Sequence, residues 1–516
     1  MSEQDDLRSH LDWIQFEGPA ETDGTLTTHL SALDGPHLAD KLRRSYYWIL
    51  NNAILTPVYD LAYGTERGSH FTFPNGDVLH LPAGECYSSY ILLPLLTLAA
   101  RRKCLLIGGP GRGKTAIAML MGLLAGHARD EVRRAVQHGH PQLTVTDLLG
   151  TPLPADLLRA EEIEQVKVSW RQWLQLRVKI VDEYNRIPTK TQSALLSLMA
   201  EGYAEQFGQT VEVGDSAWFL TANDDAGGGT FEVIEALRDR IDVTVRALTF
   251  NPHFIDQLLE RIEKRKQPAD ALPAEAVFDA AELDALHAEL LTVCVPPGVL
   301  HRIAFFLGAL DFCQRASPLF EHKSKDALKL AGLRLGQVCN ADCPLDKRRH
   351  ICSQVEGGVS VRAYLTLLAY AKAMAYFRGH AEVALEDVRQ LAPFVLHDKL
   401  QPNRQSPFFT EERLLLLSDK TAWIQTMFDM AAEQFDHLHP EGERSSVEEL
   451  LDETEQGLED VKIGEARKRL KRISATIRKY QKGGELSAPI YADLMILKSL
   501  YLRHQSYIAW LEKGSR

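Results

Sequence analysis

The octet Gly108-Gly-Pro-Gly-Arg-Gly-Lys-Thr115 constrains this chain more than any other stretch. It fits G-x-x-x-x-G-K-[ST] without a mismatch, follows the short apolar run Lys103-Cys-Leu-Leu-Ile107 and opens onto the helical stretch 116–124. Strand, glycine-rich loop and helix in that order require a loop carried on the end of a parallel strand, with its crossover helix packed behind. The spacing serves phosphate binding. Glycines let successive backbone N–H groups converge on an anion, and the helix N-terminus adds a favourable dipole. Gly108, Gly109, Pro110, Gly111, Arg112 and Gly113 then form the cradle, Lys114 reaches the β- and γ-phosphates of ATP, and the Thr115 hydroxyl ligates Mg²⁺.

A second apolar run, Val178-Lys-Ile-Val-Asp-Glu183, ends in two carboxylates about 65 residues after Lys114, which leaves room for an intervening strand and helices. Asp182 would hold the hydrated magnesium and Glu183 would polarise the attacking water as general base. A third run, Ala217-Trp-Phe-Leu-Thr-Ala222, ends at Asn223-Asp224. Asn223 either reaches the water or γ-phosphate or simply closes an Asx turn. Arg238 and Arg240, in Glu235-Ala-Leu-Arg-Asp-Arg-Ile-Asp242, either decorate a solvated helix end or reach a neighbouring subunit's nucleotide.

Around this centre the chain divides into an entry region (1–85), an α/β nucleotide-binding core (86–250), a helical segment with a cysteine-bearing loop (251–400) and a helical C-terminal extension (401–516). The entry region contains a helical period over 36–55 and a hairpin around Asn75-Gly76. In the extension, Leu470, Ile473, Ile477 and Tyr480 repeat at 3-4-3 spacing, as do Ile490, Leu494, Leu497 and Tyr501 at 4-3-4. With Gly483-Gly484 between them, they predict an antiparallel helical hairpin.

Gly108–Thr115, Asp182-Glu-Tyr-Asn-Arg-Ile-Pro-Thr-Lys-Thr-Gln-Ser-Ala-Leu-Leu196 and Thr221-Ala-Asn223 together resemble the MoxR branch of AAA+ ATPases, including its RavA-like members. Gly357-Gly-Val-Ser-Val-Arg362 and Glu386-Asp-Val-Arg-Gln-Leu-Ala-Pro-Phe-Val-Leu396 resemble that family's helical lid. The resemblance implies an AAA+ P-loop core with helices on both faces of a parallel sheet, an α-helical lid and a helix-2 insert within about 151–173. It also implies that Asn223 is sensor 1, Arg240 the arginine finger and Arg362 sensor 2. A homo-hexameric ring is implied, with chaperone-like remodelling or activation of a protein client, often with a partner bearing a von Willebrand factor A domain. The sequence departs from the family pattern at Asp224, Ile241 and Val361, and Arg238 competes with Arg240 for the finger.

Cys313, Cys339, Cys343 and Cys352 fall in or beside a polar loop, with His350 near them. Four thiolates there could tie the loop to the lid through a structural Zn²⁺, hold an iron–sulfur cluster, or remain separate thiols. Cys86, Cys104 and Cys294 lie in apolar surroundings and read as core. In the extension, acidic 441–460 precedes basic 462–482, with Arg467-Lys-Arg-Leu-Lys-Arg472 at its centre. Without interleaved aromatics, that stripe reads as a solvated face or a protein-docking surface ahead of a nucleic-acid one.

Net charge −12 argues against coating nucleic acid or anionic membrane. The run 91–100 is about half the length of a spanning helix and contains Pro94. The acidic, polar start is neither a secretory signal nor a transit peptide, so the expectation is a cytoplasmic ATPase. The rival readings are a DNA-directed AAA+ motor and a low-turnover nucleotide switch or scaffold.

Overall fold

The computed structural model describes residues 38–54, 57–64, 69–153, 166–223, 231, 233–247, 249–263, 271–438, 446–455, 457–458, 461–482 and 486–514. The acidic start, the interior of the expected insert, Asp224 and Gly483-Gly484 lie outside the described residues.

Helix α1 (Leu38–Asn52) buries Leu42, Tyr46 and Ile49 along one face. The expected hairpin follows as β1 (Ser69–Thr72) and β2 (Val78–Leu81), with every residue of both strands exposed. The apolar run before the phosphate loop is α2 (Ser89–Ala100), buried along its entire length. Among the described residues no helix is long and apolar enough to cross a membrane.

The core sheet uses β3 (Lys103–Ile107), β4 (Val136–His138), β7 (Val178–Asp182), β10 (Ala217–Ala222) and β11 (Val243–Arg246), in the order β11-β3-β10-β7-β4. All four pairings are parallel. The strands are near-continuous hydrophobic runs because helices cover both faces. Helix α3 (Lys114–Leu124) leaves the phosphate loop on one face, and α4 (Thr189–Glu201) follows the acidic pair. Two antiparallel hairpins decorate the core. One is β5 (Gly150–Pro152) with β6 (Val168–Trp170), the two arms of the expected insert; the other is β8 (Tyr203–Gln206) with β9 (Gln209–Glu212). Helix α5 (Glu235–Arg240) leads into β11, and α6 (Ile255–Glu263) follows it.

The lid comprises α7 (Ala280–Thr292), α8 (Pro297–Asp311), α9 (Val361–Arg378) and α10 (Leu385–Leu396). It shares one continuous hydrophobic cluster with α1, α2 and α3. Buried polar pairs stitch it to the core. Thr366 Oγ1 donates to Asp242 Oδ1 at 2.6 Å, Lys399 Nζ to Ile241 O at 2.7 Å, and the Thr97 and Tyr370 hydroxyls meet at 2.7 Å.

After α11 (Lys420–Leu438) comes the C-terminal module, α12 (Ser446–Glu455), α13 (Ile463–Lys482) and α14 (Ala488–Gly514), with a small core of its own around Ile473, Leu497 and Leu500. Arg467 pairs with Glu512 and Tyr480 with Asp493, so α13 and α14 run antiparallel as their spacing predicts. Part of the basic stripe is spent inside the module, Arg472 pairing with Glu449 and Glu453 and Arg469 bonding Glu453 O.

The cysteines correct two expectations. Among the described residues no group of three or more His, Cys, Asp or Glu side chains is placed to hold a metal ion, so the Zn²⁺ site of Cys313, Cys339, Cys343 and Cys352 is not formed. All four are free thiols, and Cys313, Cys339 and Cys352 lie around Lys325. Its ammonium is fully buried and bonds Leu310 O at 2.6 Å and Val355 O at 2.7 Å, while burial raises the thiols of Cys313, Cys339 and Cys352 and keeps them protonated, not the thiolates a metal would need. Of the three cysteines read as core, Cys104 is buried, Cys86 half-buried and Cys294 exposed.

Candidate nucleotide site

The phosphate loop closes the C-terminal end of β3. Gly113 sits in the left-handed region, at φ 74°, and turns the loop directly into α3. Tyr90 on α2 donates from its hydroxyl to Arg112 O at 3.2 Å and holds the loop from behind. The Lys114 side chain folds back over the loop. Its Nζ donates to Gly108 O at 2.6 Å, Gly109 O at 2.8 Å and Asn223 Oδ1 at 2.8 Å. The last contact brings the tip of β10 onto the loop, possible because β10 pairs directly with β3.

Asn223 reaches both ways, since its Nδ2 donates to Glu183 Oε1 at 2.8 Å. Lys114, Asn223 and Glu183 thus form one chain across three adjacent strand ends. Arg186, on the turn after β7, completes it with an ion pair to Glu183 Oε2 at 3.2 Å. Glu183 itself adopts φ 53°, a left-handed conformation that costs a non-glycine residue on the order of 1–2 kcal/mol. Two neighbours hold that backbone. Its N–H donates to Thr221 Oγ1 at 2.9 Å, and Gly139 N–H donates to Asp182 O at 2.7 Å. A Cβ on Gly139 would stand 2.2 Å from Glu183 O, so only glycine admits this approach.

Asp182 lies beside this chain. Its Oδ1 accepts from Thr115 Oγ1 at 2.7 Å and Thr221 Oγ1 at 2.6 Å, and its Oδ2 meets His138 Nδ1 at 3.2 Å. A hydroxyl and a carboxylate this close are the hard oxygen donors that Mg²⁺ selects, so the residues fit the cation that accompanies ATP.

The expected arginines lie elsewhere. Helix α5 ends where β11 begins, and Val243 is in register with Cys104 at the start of β3, whereas the phosphate loop follows the end of β3. Arg240 therefore lies at the end of the sheet opposite its own chain's nucleotide loop. Its Nη1 donates to Ala236 O, while Nε of both Arg238 and Arg240 is buried without a hydrogen-bond partner. Arg362 pairs with Asp239, which also accepts from Ser360 Oγ at 2.8 Å, so the lid's first turn docks on the same end.

Sequence reasoning missed His138, Gly139, Thr221 and Asp239. Thr221 stands inside a motif already recognised. Nothing in the local sequence marks His138 or Gly139, whose importance comes from strand order, β4 lying next to β7.

A P-loop on a parallel sheet of this order, an acidic pair two strands away with the Asn223 strand between, and a helical lid define an AAA+ ATPase. The family described as ATPase family associated with various cellular activities (AAA) matches residues 103–243, and the AAA lid domain matches residues 347–415. The chain is 25% identical over 320 residues to the uncharacterized protein YeaC of Bacillus subtilis (strain 168), covering 61% of this chain and 83% of that protein. A solved "putative ATPase" from Cytophaga hutchinsonii is 17% identical, at a TM-score of 0.49 over 76% of this chain and 96% of that one.

Proposed function

We propose that this ATPase works as a MoxR-like ring, most simply a homo-hexamer, in which hydrolysis remodels or activates a protein partner. The observation that carries the reading is the position of Arg240. A finger at the opposite end of the strands from its own phosphate loop has no phosphate to stabilise within its own chain, and two subunits packed head to tail supply one.

In this reading Gly108 to Thr115 cradle the triphosphate, with Lys114 on the β- and γ-phosphates and Thr115 and Asp182 holding Mg²⁺. Glu183 activates the water that Asn223 orients. Arg240 enters the neighbour's pocket, and Arg362, fixed through Asp239 to the same end, acts beside it. Movement between core and lid then carries the energy of turnover to the client. A protein with a von Willebrand factor A domain is the partner class that the resemblance suggests. Net charge −12 weighs against a DNA-directed motor, and the Asp182–Glu183–Asn223 constellation against a low-turnover switch.

Arg240→Ala should keep ATP affinity within a few-fold and lose turnover by about 10³–10⁵. Mixing it with Lys114→Ala protein should restore part of the activity, because an intact pocket can then face an intact finger. Mixtures in which subunit exchange is demonstrated yet turnover stays absent would refute the trans arrangement.

A further inference from the structure

We infer that His138 is a positioning residue for the metal site: from the edge strand it holds the Asp182 carboxylate in the orientation that meets Mg²⁺. The inference rests on the reading of Asp182 as the magnesium-facing acid. His138 is the last residue of β4 and lies in register with Asp182, the last residue of β7. The backbone bond from Gly139 N to Asp182 O, at 2.7 Å, fixes that register at the site itself. The imidazole Nδ1 then stands 3.2 Å from Asp182 Oδ2. A carboxylate can only accept, so Nδ1 carries the proton and donates.

The other oxygen explains why a third donor matters. Asp182 Oδ1 already takes two hydroxyls, from Thr115 on α3 and Thr221 on β10. A carboxylate anchored at one oxygen can still turn about its Cβ–Cγ bond and swing the other away. Donors on both oxygens, from strands on either side of β7, fix its plane. The His138 side chain is 69% exposed, so this contact adds little to fold stability. Its effect falls on the direction of the acceptor, as with the outer partners that orient metal-binding carboxylates.

The test uses Mn²⁺ as a paramagnetic probe, titrated by electron paramagnetic resonance into Glu183→Gln protein carrying ATP, so that no turnover intervenes. In that background His138→Ala should weaken Mn²⁺ binding by about 10-fold, the lower end of the usual loss for outer-sphere partners. His138→Asn, whose amide N–H can stand where Nδ1–H does, should stay within about 2-fold. ATP binding measured in EDTA should be the same in all three proteins. Three outcomes overturn the inference: parental Mn²⁺ affinity in His138→Ala, equal loss in His138→Asn, or loss of ATP binding in EDTA, which would make His138 a support of the loop. Asp182→Asn separates the two levels. If it leaves Mn²⁺ affinity unchanged, the reading of Asp182 fails; if it abolishes binding while His138→Ala keeps the parental affinity, only the positioning role fails.

Discussion

Two lysines, one in the nucleotide core and one in the lid, are buried in nearly the same way. Lys114 is 7% exposed and Lys325 1%. Each donates to two backbone carbonyls at 2.6–2.8 Å, Gly108 and Gly109 for the first, Leu310 and Val355 for the second. What differs is the company. Lys114 also meets Asn223, which leads on to Glu183, and it lies on a glycine-lined loop at the end of a parallel sheet. Lys325 is enclosed by Cys313, Cys339, Cys352 and Asp311, and burial pushes its pKa down to about 8. A buried ammonium is therefore not by itself a ligand site. In the proposed reading the first lysine exchanges its carbonyls for phosphate oxygens, whereas the second fastens the end of α8 to the chain at Val355.

The largest effects should fall on opposite sides of this comparison. Lys114→Ala is expected to abolish ATP binding in an equilibrium titration while leaving hydrogen-exchange protection near residues 310 and 355 unchanged. Lys325→Met should do the reverse. It leaves two buried carbonyls without a donor, at a cost of about 1–3 kcal/mol each, and should loosen the lid while the phosphate loop keeps its ATP affinity within a few-fold. Loss of ATP binding in Lys325→Met with the lid still protected would break the distinction.

The acids beyond each lysine sharpen it. Glu183→Gln should bind ATP and hydrolyse it about 10²–10⁴ more slowly, the usual loss for a general base. Asp311→Asn, the nearest counterpart beside Lys325, should leave single-site turnover where it was. Wild-type rates in Glu183→Gln would remove Glu183 from the chemistry.

The same contrast marks how far the sequence could be read. Local order made the core legible: strand, glycine loop and helix around Gly108–Thr115, and strands ending in Asp182-Glu183 and Asn223, describe groups that meet because parallel strands end together. The hairpin around Asn75-Gly76 and the antiparallel pair α13–α14 follow from turn chemistry and apolar period. His138 was invisible because its role depends on which strand lies beside β7, a property of sheet order. The cysteine loop misled for a related reason. Four thiols in a polar stretch suggest a metal, but the fold sets Cys313, Cys339 and Cys352 around the buried Lys325 and keeps them protonated, which their spacing does not disclose.

The smallest effect expected is a dependence of lid stability on pH, which tests the Lys325 half of the comparison directly. Lysine normally titrates near 10.4, and burial lowers Lys325 to about 8. Between these values the unfolded chain binds a proton that the folded lid does not, so stability rises with pH across the window. Below pH 8 both states are protonated and the burial penalty is constant. The thiols act in the opposite sense. Burial raises Cys352 to about 12, above the ordinary thiol range, so its contribution is present at low pH and declines once unfolded thiols ionise, near pH 9. Between pH 8 and 9 the lysine's own gain should be up to about 1 kcal/mol, opposed by Cys313, Cys339 and Cys352 as their unfolded thiols begin to ionise, so it is read as a difference between wild type and Lys325→Met. Read by hydrogen exchange corrected for the intrinsic rate, amides around Leu310 and Val355 should gain more protection, or lose less, across that window in wild type than in Lys325→Met. The variant should therefore show the lower slope. An unchanged slope in that variant would assign the dependence to another group and leave Lys325 charged throughout, held by its two carbonyls.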